Sequence, residues 1–101
     1  MSFPAPATTT EPVRVMLCDD SAVQRGIMAR ILESDPSIRI VHRAGDGQAA
    51  LSALAVTKPQ VVLLDLEMPV MDGMTAIPLI LKQAPGTAII VASALTQRGA
   101  A

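Results

Sequence analysis

Four short apolar runs recur along the chain: Val13–Cys18, Ile38–Ala44, Val61–Leu66 and Thr87–Ala92. Between them, apolar residues return every three or four positions. Short runs bounded by Gly, Pro and Asp predict strands, and the longer period predicts helices. Ser21 is placed to cap a first helix running to about Ser34. Its Val23, Ile27 and Ile31, with Met28 and Leu32, fall at helical spacing on one face. Gly26 weakens that helix slightly, and Asp35-Pro36 stops it. Asp46-Gly47 turns into a second helix with Ala50, Leu51, Leu54 and Ala55 inward, ending at Lys58-Pro59. Asp72-Gly73 opens a third helix to about Gln83, and Pro78 inside it removes one backbone hydrogen bond. The unbroken apolar character of Val61–Leu66 predicts a strand buried on both faces. The order βαβαβαβ predicts an α/β fold with a parallel sheet and right-handed crossovers.

Residues 1–12 are rich in Pro, Thr and Ala, carry no period and read as a disordered leader. The domain is expected over 13–101. With 101 residues, half of them hydrophobic, the chain suffices for one modest core. One Phe and no Tyr or Trp leave that core to Val, Ile, Leu, Met and Ala. A formal net charge of −1, with Arg25, Arg30, Arg39 and Arg43 scattered, argues against nucleic acid as a partner. No apolar stretch approaches the roughly 18 residues of a membrane span, and no signal pattern opens the chain. A single cysteine cannot form an intramolecular disulfide, so a cytoplasmic location is expected.

The candidate chemistry sits at the strand ends. Asp19 and Asp20 follow the first run, and Asp65 follows Val61–Leu64. If those runs are neighbouring parallel strands, three carboxylates meet at the sheet edge where open α/β folds bind ligands. Like charges so placed repel, and a hard cation such as Mg²⁺ relieves the repulsion. A metal held by Asp20, Asp65 and a carbonyl of the following loop would also let Asp65 act as a nucleophile toward phosphorus. The plainer alternative is that these acids only cap strand ends. Ser93, after the fourth run, is either a hydroxyl within reach of a phosphoryl group or an ordinary loop serine. Pro69 and Gly73 shape the loop that would aim the Glu67 carbonyl. His42 reads as solvated, Cys18 as a small buried residue and the Met residues as core.

Three ordered motifs carry a resemblance over about 13–101: Cys18-Asp19-Asp20-Ser21, Val62 to Gly73 (Val-Leu-Leu-Asp-Leu-Glu-Met-Pro-Val-Met-Asp-Gly), and Val91-Ala-Ser-Ala-Leu-Thr96. Together they are similar to the receiver domain of two-component response regulators. They are most similar to the regulatory domain of the chemotaxis protein-glutamate methylesterases. The resemblance implies a flavodoxin-like doubly wound sheet in the order 2-1-3-4. It implies Asp65 as acceptor of a phosphoryl group from a histidine kinase, and Asp20 as a direct Mg²⁺ ligand with Asp19 acting through water. The Glu67 carbonyl becomes the backbone ligand, and Ser93 the switch hydroxyl.

A complete receiver adds a fourth helix, a fifth strand ending in lysine and a fifth helix. The chain is expected to lack these, as a truncated receiver or a piece of a longer protein. The uncharged fourth strand then becomes an open edge, and a homodimer through that edge or the uncovered sheet face is expected. The competing reading is a self-associating interaction module that is not phosphorylated. A phosphatase of the haloacid dehalogenase type fits poorly, because Asp65-Leu66-Glu67 lacks its Asp-x-Asp pattern.

Overall fold

The structure is a computed structural model, and it describes residues 11–92. Four strands, β1 (Val13–Cys18), β2 (Ile38–Ala44), β3 (Val61–Leu64) and β4 (Ala88–Val91), form one sheet in the order β2-β1-β3-β4. Every pairing is parallel. Three helices connect them: α1 (Ala22–Glu33), α2 (Gly47–Thr57) and α3 (Gly73–Gln83). The predicted element order and strand order therefore both hold. β3 and β4 are shorter than the apolar runs that announce them. Residues 1–10 of the expected leader, and Ser93, lie outside the described residues.

Each helix begins with a side-chain cap, just past a strand for α1 and α2 and after the 65–72 loop for α3. Ser21 Oγ accepts from the Gln24 amide at 3.2 Å, Asp46 from Ala49 at 2.8 Å and Asp72 from Thr75 at 2.8 Å. Such caps satisfy amides that have no partner within the helix. At its other end α2 stops on Lys58 in the left-handed region (φ 47°). The Arg14 guanidinium, reaching across from β1, donates to the carbonyls of Thr57 and Lys58. The Arg14 guanidinium thus sits at a helix end with partial negative charge.

The core lies on one face of the sheet. Met16 and Cys18 of β1, Ala44 of β2 and Val62 and Leu64 of β3 pack against Ala50 and Leu54 of α2 and Ala76 and Ile80 of α3. By strand alternation Val15 and Leu17 point to the other face, and both are buried. There α1 packs on β2 and β1. Val61 and Leu63 on that face are only half-buried, and Ile90 is 52% exposed. The expectation of a third strand buried on both faces is corrected accordingly: among the described residues α1 covers the β2–β1 half of this face, and no element covers the β3–β4 half.

Two helix expectations also change. Met28 and Leu32 turn inward with the buried Ala29, but Val23, Ile27 and Ile31 are exposed and border an open groove of about 650 Å³ with Gly26 and Arg30. Five apolar residues over-fill the arc that one helix can press on a two-strand patch, so one row is left outside. In α2, Ala50 and Leu54 are buried and Leu51 is half-buried, whereas Ala55 is exposed. Half-burial of His42 corrects its reading as a solvated side chain.

Pro78 does stand inside α3, on its exposed side, with no N–H to offer the carbonyl four residues back. Pro78→Ala restores that donor, and we expect it to stabilise the domain by about 1–3 kcal/mol, read from urea unfolding midpoints at unchanged m.

Candidate metal site

The site is assembled by backbone before any side chain takes part. The Asp19 amide donates to the Ala44 carbonyl at 3.0 Å, and the Asp65 amide to the Cys18 carbonyl at 3.0 Å. The parallel ladder therefore runs one residue past the strands, and both acids stand on it. Asp20 follows directly. One carboxylate oxygen from each of Asp19, Asp20 and Asp65 lies within 4.8 Å of the others. Asp19 and Asp65 are half-buried and Asp20 is exposed. This is the edge of the β1–β3 crevice, where strand order reverses and open α/β sheets take their ligands.

Local hydrogen bonds fix the carboxylates. Asp19 Oδ1 accepts from the Ser21 amide at 2.9 Å, and Asp65 Oδ1 accepts from the Glu67 amide at 3.0 Å. The Arg25 guanidinium donates to the Asp19 carbonyl at 2.5 Å. Arg25 was not singled out by its sequence context, since a helical arginine usually reads as solvated surface. Its only signal is a position one helical turn after the Ser21 cap, on the inward side of α1. Gly73 is a second residue whose role shows only in three dimensions. A Cβ there would stand 2.7 Å from the Asp65 carbonyl oxygen and 2.7 Å from Leu66 Cα, so the start of α3 closes directly onto the strand end.

Burial raises the Asp19 carboxyl above its ordinary pKa, the Ser21 amide opposes the shift, and the charges of Asp65 and Asp20 add to it. Two like charges at this separation repel by on the order of 1–4 kcal/mol, between water and a partly excluded surface. The donor set is all oxygen and anionic, which suits a hard divalent cation and not a thiolate or imidazole metal. Cys18 stays outside this chemistry: burial, with a smaller contribution from Asp46, pushes its thiol up to about 12. His42 pairs opposite Met16 on β2 and does not join the acids. All three predicted acidic ligands are thus brought together, and the loop bearing Glu67 begins at the same point.

The raised pKa has a definite sign in stability. A folded carboxyl that holds its proton more tightly than the unfolded one favours folding at low pH, and that benefit is lost as pH rises through the folded value. Asp19→Asn cannot ionise. In metal-free buffer it is expected to melt higher than wild type at neutral pH, with the gap closing as pH falls below the ordinary value of 3.8. Calorimetric melts in chelator across that range measure it; an equal or lower melting temperature for the variant at neutral pH contradicts the assignment.

The comparisons with known proteins agree with this geometry. Residues 15–101 match the response regulator receiver domain family. The chain is 56% identical over 97 residues to a protein-glutamate methylesterase/protein-glutamine glutaminase of Azospirillum brasilense, covering 96% of this chain and 25% of that protein. It is 49% identical over 100 residues to such a protein of Paramagnetospirillum magneticum, covering 99% of this chain and 26% of the relative. The chain thus spans about a quarter of the length of these curated relatives. Among solved structures, the response regulator domain of Thermotoga maritima CheB superposes with a TM-score of 0.79 at 37% identity, over 88% of this chain and 66% of that one. A chain of the CheX–CheY–BeF₃–Mg²⁺ complex of Borrelia burgdorferi superposes with a TM-score of 0.80 at 29% identity, over 87% of this chain and 66% of that one. By its matched residues, its strand order and its relatives, the chain belongs to the response regulator receiver domain family.

Proposed function

We propose that this chain is a Mg²⁺-dependent phosphoacceptor module that takes a phosphoryl group on Asp65 from a histidine kinase. It thereby regulates an output such as a chemotaxis methylesterase. The observation that carries the reading is the meeting of Asp19, Asp20 and Asp65 on an extended backbone ladder, with ligand oxygens within 4.8 Å. Asp20 and Asp65 would hold the cation directly, Asp19 through water, and the Glu67 carbonyl would complete the protein's share. When bound, Mg²⁺ would supply positive charge that offsets the acids and the incoming phosphoryl oxygens, so that the Asp65 carboxylate, a weak nucleophile, would become competent.

The chain's own residues supply position. The Glu67 amide engages Asp65 Oδ1 and turns the carboxylate, so that its other oxygen is assigned the attack on phosphorus. The new O–P bond forms as the P–N bond of the donor phosphohistidine breaks, and the electron pair stays with the imidazole nitrogen. Asp65 becomes an acyl phosphate, and water later hydrolyses it to carboxylate and inorganic phosphate. Ser93 is assigned the hydroxyl that meets the phosphoryl oxygen. The chain acts as a signalling switch in the cytoplasm; no helix among the described residues is long and apolar enough to cross a membrane.

Incubation with acetyl phosphate or beryllofluoride and Mg²⁺ is expected to modify wild type at one site, read by intact mass or ¹⁹F NMR. Asp65→Asn and chelator are each expected to abolish it. Asp20→Ala should weaken Mg²⁺ binding at least about tenfold, since even outer-shell partners of metal ligands are worth that much. Modification that persists in Asp65→Asn sinks the assignment.

A second reading is favoured by one observation, the open side of β4, and it applies to the 101-residue chain by itself. β4 is the last strand of the described sheet; Ile90 is 52% and Val91 38% exposed. Burying an Ile is worth about 1.5–3 kcal/mol, enough to promote association with a second copy along the β4 edge or over the open face. Light scattering across a concentration series is expected to show a dimer that Ile90→Lys weakens. A wild type that stays monomeric at high micromolar concentration contradicts it.

A further inference from the structure

The strap between β3 and α3, residues 65–73, is held at both ends and in the middle. At its base the Gly73 amide donates to the Leu66 carbonyl at 2.9 Å. Met68 is anchored in the core cluster, 8% exposed. At its far side the Gly47 amide donates to the Met71 carbonyl at 2.9 Å. Gly47 is the first residue of α2, and it is buried. A Cβ at Gly47 would stand 2.8 Å from the Met71 carbonyl oxygen, 2.9 Å from Met71 Cγ and 3.1 Å from Ala76 Cβ. The first of these is backbone and cannot swing aside as a side-chain end can.

Between the anchors the strap has little slack. The Met71 amide donates to the Pro69 carbonyl at 2.6 Å, closing a three-residue turn around Val70. Val70 has φ 68° and is 84% exposed. A γ-turn with positive φ at its centre is the rare, strained hand, and a β-branched residue is the least suited to it. Pro69 fixes the next dihedral upstream. A push on Met71 is therefore passed along the chain toward Glu67, whose amide orients Asp65.

We infer that Gly47 is a positioning residue for the metal site: by lacking a Cβ it lets α2 clasp the Met71 carbonyl, and the stiff turn at Val70 carries that constraint to Glu67 and Asp65. The inference rests on the reading of the acidic cluster as a Mg²⁺ site. Mg²⁺ demands near-ideal octahedral geometry at about 2.0–2.1 Å, whereas Ca²⁺ accepts variable geometry at about 2.3–2.6 Å. A strap displaced by tenths of an ångström thus costs Mg²⁺ more than Ca²⁺. Mere loss of folded protein lowers both apparent affinities by one common factor.

The test is calorimetric titration of the 101-residue chain with Mg²⁺ and with Ca²⁺, for wild type, Gly47→Ala, Val70→Gly and the double variant. Gly47→Ala is expected to lose Mg²⁺ affinity about tenfold or more, with Ca²⁺ affinity much less affected. Val70→Gly accommodates positive φ without strain and softens the strap, so it loses Mg²⁺ affinity by a smaller factor. In the double variant the softened turn absorbs the intruding Cβ, and Mg²⁺ affinity returns toward that of Val70→Gly alone. An unchanged Mg²⁺-to-Ca²⁺ ratio in Gly47→Ala, or losses that simply multiply in the double variant, overturns the inference. Should Gly47→Ala fail to fold, an unchanged ratio in Val70→Gly overturns it equally. A wild type that binds no Mg²⁺ removes the site reading and this inference with it; a wild type that binds while the ratios stay fixed removes the inference alone.

Discussion

The parallel pairing of β1 with β3 is the constraint on which the rest depends. It buries Met16, Cys18, Val62 and Leu64 on one face, and those side chains form the centre of the core. The same ladder, continued through the Asp65 amide to the Cys18 carbonyl, sets Asp65 beside Asp19 and Asp20. Core and site are thus two ends of one set of hydrogen bonds. The ladder fixes the backbone of Asp19 and Asp65, so the repulsion cannot be relieved by moving those two backbones apart. What the Ser21 amide does not offset is left as an anionic field at the sheet edge, the kind of field on which the proposed cation site rests.

The edge that carries the acids also carries the start of every helix. Ser21 and Asp46 cap helices within a few residues of a strand end and Asp72 caps one at the end of the strap that follows β3, so three helix N-termini gather at the anionic edge. Their partial positive charge offsets part of the repulsion without supplying a ligand. The opposite edge is served by different chemistry. There Arg14 holds the last carbonyls of α2, and Thr87 Oγ1 donates to the Pro59 carbonyl at 3.0 Å.

Much of this was legible in the sequence for a physical reason. Strands that pair through backbone and bury both neighbours must be apolar, and the helices between them must follow a 3.6-residue period, so element order survives in pattern alone. The caps were legible because only a few side chains can serve amides at a helix start. The acids were legible because charge directly after an apolar run is unusual. What was not legible depends on coverage. Val23, Ile27 and Ile31 read as an inward face, yet which arc of α1 meets the sheet is decided by the width of the patch beneath it. Leu63 read as buried for the same reason, and only the position of α1 over β2 and β1 shows that it is not, whereas the exposure of Ile90 fits the open fourth strand that was expected.

Arg25, Gly47, Gly73 and Val70 were hidden for a different reason. Each acts through backbone atoms or backbone conformation, and residue type says little about either. A glycine at a helix start signals a turn, as Asp46-Gly47 and Asp72-Gly73 did, but not which carbonyl its missing Cβ admits. The two glycines nevertheless act alike. Gly73 lets the head of α3 close on Asp65 and Leu66, and Gly47 lets the head of α2 close on Met71. The strap that leaves Asp65 is therefore gripped by two helices, not suspended between them. Geometry at an oxygen-only cation site is only as good as the backbone that aims its oxygens, and in this fold the aim is set by the absence of two side chains.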